Sequence, residues 1–234
     1  MLQLFKQVVK LFDPSQRKLG VFVGLSLVVQ IGYWYLGSPG PQLAGVERTL
    51  ASAVTNIAWA VGLLLLIPLL AAWRLKLPLG KIRFGRGDVR FGVRTTLPLA
   101  LIIVGLLFFG ARDSALQHTY PWPGDWLASG GITIFLWTIL YALYYVAFEF
   151  FYRGFLMRGL ETFWGLNTAI WVQMMASVLI HLGKPWVETV AAVPAGLLFA
   201  VLAVRSRSLL YPILLHLIIG LSTDLFSLYH QGLF

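Results

Sequence analysis

Cysteine is absent from all 234 residues. That excludes a disulfide framework, a thiolate metal site and a cysteine nucleophile. Charge is also scarce. Only 12% of residues are Asp, Glu, Lys or Arg, about half the roughly 25% of an ordinary soluble domain. Acidic residues are the rarer sign, nine against eighteen basic ones. The sequence shows no small-residue cleavage site after its first apolar run, so no cleavable leader is expected. There is no internal repeat, no low-complexity segment and no phosphate-cradling glycine spacing. What fills the chain instead is apolar: 59% hydrophobic residues and a mean hydropathy of +0.80. This is the composition of an integral membrane protein. The excess charge of +9 would suggest nucleic acid in a soluble chain. Here the positive-inside distribution accounts for it, and no nucleic-acid partner is expected.

Seven apolar stretches approach the ~20 residues needed to cross a bilayer. They fall near 19–37, 51–73, 95–111, 130–152, 164–182, 187–204 and 208–229. The fourth continues as one long helix toward Leu160. The fold class is therefore all-α, a polytopic transmembrane bundle of about seven spans. Residues 2–12 add an amphipathic interfacial helix, with Gln3, Lys6, Gln7 and Lys10 on one face, ended by Asp13-Pro14. The expected organisation is an interfacial helix at 1–18, three spans with a basic loop at 19–128, and a core at 129–234. Lys6, Lys10, Arg17 and Lys18, the Arg74–Arg94 loop, Arg158, Arg205 and Arg207 all fall on one side if the spans alternate. That side is expected to be cytoplasmic, with the N-terminus in, the C-terminus out and the chain in the plasma membrane. Tyr33, Trp34, Tyr35, Trp122 and Trp126 read as interfacial aromatics.

A few polar residues interrupt the apolar spans. Glu149 and Arg153 are one helical turn apart and share a face. His181 ends the fifth stretch, and His216 lies mid-span in the seventh. Thr223 and Asp224 follow two turns later, where either is placed to orient His216. Ionisable residues at bilayer depth are expensive and mark function by default. The bland alternative is an intramembrane ion pair with packed histidines. By helical rise Glu149 and His216 have similar depth, while His181 stands about 10 Å higher. A carboxylate and two imidazoles suit water activation. They also form a zinc-like set, Glu149, His181 and His216, though no local spacing such as HExxH supports a metal. The cofactor is therefore unassigned, with a divalent ion such as zinc as the candidate.

The run Glu149-Phe150-Phe151-Tyr152-Arg153-Gly154-Phe155-Leu156, followed by His181 and then His216, resembles the CAAX-protease and bacteriocin-processing family of intramembrane endopeptidases. The resemblance covers roughly residues 130–230. Phe84-Gly85-Arg86-Gly87-Asp88-Val89-Arg90 is similar to the segment preceding that core. The family pattern Glu-Glu-x-x-x-Arg meets Phe148 at its first Glu; Phe-x-x-x-His meets Ser177 at its Phe; His-x-x-x-Asn/Asp meets Gly220 at its last position. The single-Glu pattern, with His181-Leu182-Gly183-Lys184-Pro185 and Glu188, resembles a distinct branch. The resemblance implies hydrolysis of a peptide bond in a membrane-associated protein or peptide. Glu149 would activate water, His181 and His216 would hold the water and the oxyanion, and Arg153 would position Glu149. Asp224 or Thr223 would support His216. The implied partners are membrane lipids and that substrate. A non-catalytic scaffold of the same fold is the alternative, and a proton-coupled transporter a third reading.

Overall fold

A computed structural model describes residues 1–4, 17–37, 48–77 and 84–233. The expected interfacial helix falls mostly on residues 5–16, outside the described residues. The rest is helical, with no strand among the described residues. We number the helices α1 Arg17–Leu36, α2 Leu50–Arg74, α3 Val89–Gly110, α4 Ser114–Thr119, α5 Gly131–Glu149, α6 Met157–Leu179, α7 Trp186–Ser206 and α8 Leu210–His230. A π-helical segment, Phe150–Leu156, joins α5 to α6, and another, Val61–Leu66, lies within α2.

Capping residues set several helix starts. Thr49 and Ser52 form a reciprocal capping box at α2, Asp88 accepts from the Phe91 N–H at α3 and Asp113 caps α4, each satisfying donors that a helix N-terminus leaves free. α7 ends where Arg207 turns left-handed, with φ 54°. Pro98 and Pro194 sit inside α3 and α7, as membrane helices tolerate.

Among the described residues, six helices are long and apolar enough to cross a membrane. The stretch Gly131–Leu179 has 49 residues. At ~1.5 Å per residue it would reach about 74 Å, more than twice the ~30 Å hydrocarbon core. It breaks at Gly165, whose φ of 77° and ψ of 165° are not helical. Contacts with α1 show the reversal. Phe22 packs on Phe155 and Phe163, Tyr33 reaches Tyr144 further along, and Gln30 donates to the Ala176 carbonyl. The chain has therefore returned toward the Tyr33 level by residue 176. Counting both arms gives about the seven crossings expected from the sequence, with the fourth helix reaching Leu160 as expected and running on to the break at Gly165.

The loop before α3 docks where α7 turns into α8. Ser208 Oγ bonds the Gly85 carbonyl, Tyr211 donates to the Arg86 carbonyl at 2.8 Å, and the Asp88 N–H donates to Ser206 at 2.7 Å. A Cβ at Gly87 would collide with the Ser206 carbonyl, so glycine is required there. These contacts gather Arg86, Arg205 and Arg207 at one end of the bundle. At the other end, Arg48 and Gln231 both donate to the carbonyls of Gln117 and Tyr120, pinning the segment after α4.

Two aromatics expected at the interface are core residues instead. Tyr33 is buried and donates to Asn56 Oδ1 at 2.7 Å. Trp122 is buried edge-on against Trp137 and Tyr144. The Tyr33 hydroxyl finds an internal partner, and Trp122 packs its ring among aromatics while its backbone N–H donates to Asp224, so neither needs the headgroups.

Candidate active site

The site is built on two facing ladders with i+4 spacing. α5 presents Trp137, Tyr141, Tyr145 and Glu149. α8 runs the other way and presents His216, Gly220 and Asp224. Residues four apart share a helix face, so the two ladders meet in rungs. At one end Trp137 Nε1 donates to Asp224 Oδ2 at 2.7 Å. In the middle Tyr141 and Tyr145, stacked 4.6 Å apart, lie against Gly220. At the other end His216 Nδ1 meets Glu149 Oε1 at 2.7 Å.

Glu149 is fully buried. Its Oε1 also receives Arg153 Nη1 at 3.2 Å, across the start of the π-helical segment. A π-turn opens the helix locally and is frequent at functional sites. Glu149 Oε2 has no hydrogen-bond partner, and neither does Arg153 Nε. The Arg153 guanidinium lies over Phe199, 5.3 Å from the ring centre, and also faces Phe148 and Tyr152. Buried charges are tolerable only when paired in this way.

His181 joins the site through Phe148. The Phe148 ring meets His216 edge-on at 5.2 Å and His181 edge-on at 6.1 Å. The helical-rise reading places His181 too high because the chain reverses further along, at Gly165. The break at Gly165 shortens the climb to His181 to about 24 Å. Its Nδ1 lies 2.6 Å from the Ser177 carbonyl. A carbonyl only accepts, so Nδ1 carries the proton and Nε2 presents a lone pair. Burial, and then the charge of Lys184, push the His181 pKa down to about 4, so it is neutral near pH 7. The same tautomer follows for a neutral His216, whose Nδ1–H donates to Glu149.

Asp224 and Thr223 do not orient His216. Asp224 is fully buried and accepts from Trp122 N at 2.8 Å as well as from Trp137. It ties the segment after α4 onto α5 and α8. Thr223 donates to the Ile219 carbonyl of its own helix. The ~80° offset from His216 points Asp224 at Trp137 instead.

Each departure from the family pattern has a packing partner. A Cβ at Gly196 would meet Ser177 Oγ at 3.1 Å and Met174 Cγ at 2.9 Å, so position 177 has room only for a small side chain. A Cβ at Gly220 would collide with the Tyr145 hydroxyl and come within 2.8 Å of the Tyr141 ring. Phe148 fills the space against both imidazoles.

A second polar cluster lies beside His181. Lys184 Nζ pairs with Glu188 Oε1 at 2.6 Å, and the Tyr120 hydroxyl donates to Glu188 Oε2 at 2.8 Å. Burial would lower the Lys184 pKa, but the Glu188 carboxylate outweighs it and raises the proton affinity. Burial and then Glu188 push the Tyr120 pKa well up. Glu188 has both oxygens committed, so it is a strut and a poor base. Sequence reasoning passed over Tyr145 and Tyr120. Tyr145 was findable, one turn before Glu149 on the same face; Tyr120 carried no local signal.

Glu149, His181 and His216 do not fit a metal centre. Among the described residues no group of three or more His, Asp or Glu side chains stands close enough to hold an ion. Glu149 Oε1 is occupied by His216 Nδ1 and Arg153, and the Phe148 ring touches both imidazoles.

No curated protein and no solved structure matches the chain. A family model described as Type II CAAX prenyl endopeptidase Rce1-like matches residues 130–222. The matched stretch, less than half of the chain, runs from the start of α5 through the Glu149–His216 rung to Leu221 and Ser222 in α8. Over that stretch the chain is similar to this family, which supports a place among the CAAX-protease and bacteriocin-processing proteins.

Proposed function

We propose that this protein is an intramembrane endopeptidase that hydrolyses a peptide bond of a membrane-associated protein or peptide. The observation that carries this reading is the fully buried Glu149, fixed through Oε1 by His216 and Arg153 and left with an unpartnered Oε2. A buried oxygen without a partner is costly, and a water or substrate group would satisfy it. In this reading Oε2 takes a proton from water and the water oxygen attacks the scissile carbonyl carbon. The resulting tetrahedral intermediate breaks its C–N bond as the same proton passes to the departing nitrogen. Arg153 and His216 hold Glu149 in place by charge-assisted hydrogen bonds. The neutral Nε2 of His181 and of His216 accepts from the water and helps to aim it. The basic end faces the cytoplasm of the plasma membrane, as the positive-inside rule directs.

Phe148, Ser177 and Gly220 favour a non-catalytic scaffold, Phe148 most of all, because it puts an apolar ring where the family pattern has its first Glu. The test uses the full chain in lipid nanodiscs with a mixture of membrane-anchored peptides, read by mass spectrometry. Wild type should cleave at defined bonds. Glu149→Gln should lose about 10²–10⁴-fold in rate, the usual worth of a positioned base, while keeping its thermal unfolding temperature. No cleavage by wild type, or full cleavage by Glu149→Gln, would overturn the reading.

A further inference from the structure

The geometry points to Tyr145 as a further catalytic residue, the O–H donor that stabilises the oxyanion of the tetrahedral intermediate. This rests on the endopeptidase reading above. Acyl transfer needs a donor aimed at the carbonyl oxygen as it gains charge. The imidazoles do not supply one in the neutral state. His181 Nδ1–H is committed to the Ser177 carbonyl and His216 Nδ1–H to Glu149, which leaves only lone pairs at Nε2. Arg153 lies on the far side of Glu149 from Tyr145 along the helix, and its guanidinium donates to Oε1 of Glu149.

Tyr145 stands on the other side of Glu149 from Arg153 along the helix. It is one turn before Glu149 on the same face of α5, and its ring lies 4.2 Å from the His216 ring at an interplanar angle of 30°. Its hydroxyl lies against Gly220, where any Cβ would collide with it. Position 220 is where the family pattern carries Asn or Asp, four residues after the histidine. Gly220 therefore has no donor of its own, and a phenol from the facing helix occupies the vacated space. The stacked ring of Tyr141 limits Tyr145's freedom to turn away. A hydroxyl has one donor and two acceptor positions, and the single Tyr145 proton is the one that would serve the oxyanion. During attack the carbonyl π bond becomes an oxygen lone pair that accepts from the Tyr145 O–H. The phenol keeps its proton throughout and the hydrogen bond is released when the C–N bond breaks.

The experiment compares wild type, Tyr145→Phe and Glu149→Gln in the same nanodiscs, using the peptide that wild type cleaves. Tyr145→Phe should lower kcat about 10²–10³-fold, the loss expected for one oxyanion donor, with KM unchanged. A phosphinate analogue of that peptide, tetrahedral at the scissile position, should lose affinity for Tyr145→Phe by a similar factor while the uncleaved peptide does not. That ratio decides the matter even where the variant is less stable, since a smaller folded fraction weakens both ligands equally. If Glu149→Gln is inactive and Tyr145→Phe keeps wild-type kcat and phosphinate affinity, Tyr145 is overturned and the endopeptidase reading stands. If wild type cleaves nothing, or Glu149→Gln cleaves as wild type does, both fall.

Discussion

Asp224 separates a structural anchor from a catalytic helper, and its removal has a size that the contacts define. Its two carboxylate oxygens accept from two buried donors, Trp122 N at 2.8 Å and Trp137 Nε1 at 2.7 Å, and the side chain is fully buried. Asp224→Ala strands both donors. Each costs about 1–3 kcal/mol when left unsatisfied, so the variant should lose about 2–6 kcal/mol of stability. Asp224→Asn keeps one carbonyl oxygen and turns an NH₂ toward the other donor. It should lose about 1–3 kcal/mol, roughly half as much. The assay is unfolding in detergent, followed by tryptophan fluorescence, because both donors belong to tryptophans whose rings meet 5.8 Å apart. Peptide cleavage by the fraction that remains folded should be unchanged. Equal stability of all three proteins, with cleavage lost in the variants, would refute the anchor and return Asp224 to His216.

Two further perturbations follow from the same contacts. Gly220→Ala drives a Cβ into the Tyr145 hydroxyl and to within 2.8 Å of the Tyr141 ring; it should destabilise the fold by about 1–3 kcal/mol, as overpacking does, and a variant as stable as wild type in thermal unfolding would show the rung to be looser than described. His181 has a folded pKa near 4 against an ordinary 6.5, so between those values the unfolded chain binds a proton that the folded chain refuses. The stabilisation from a neutral His181 is intact above about pH 6.5 and is lost as the pH falls toward 4; thermal unfolding of wild type should drop across that window, His181→Asn should flatten the drop, and identical slopes would refute the assignment.

The Glu149–Arg153 pair was legible in the sequence because i+4 spacing on a helix fixes a shared face whatever surrounds it. His216 was legible because an imidazole in the middle of an apolar span has few inexpensive alternatives to an internal partner. The depth match of Glu149 and His216 followed from helical rise, which is nearly constant. His181 was harder, since its height depends on where the chain reverses, and the φ of 77° at Gly165 had no unambiguous signal among the many glycines of this chain.

Composition and periodicity alone determined that this is a membrane protein, that it is all-helical with about seven crossings, and which few ionisable side chains interrupt its apolar spans. They suffice because a bilayer penalises every unpaired backbone group and every stray charge, which leaves few ways to read a long apolar run. Helical spacing also put Tyr145 one turn before Glu149 on the same face, a signal that was present in the sequence but passed over. Only the tertiary structure decided how the ladders of α5 and α8 pair. A helix fixes which residues share its face but not which face of another helix it meets, and that register places Asp224 on Trp137 and Trp122, Tyr145 on Gly220, and His216 on Glu149.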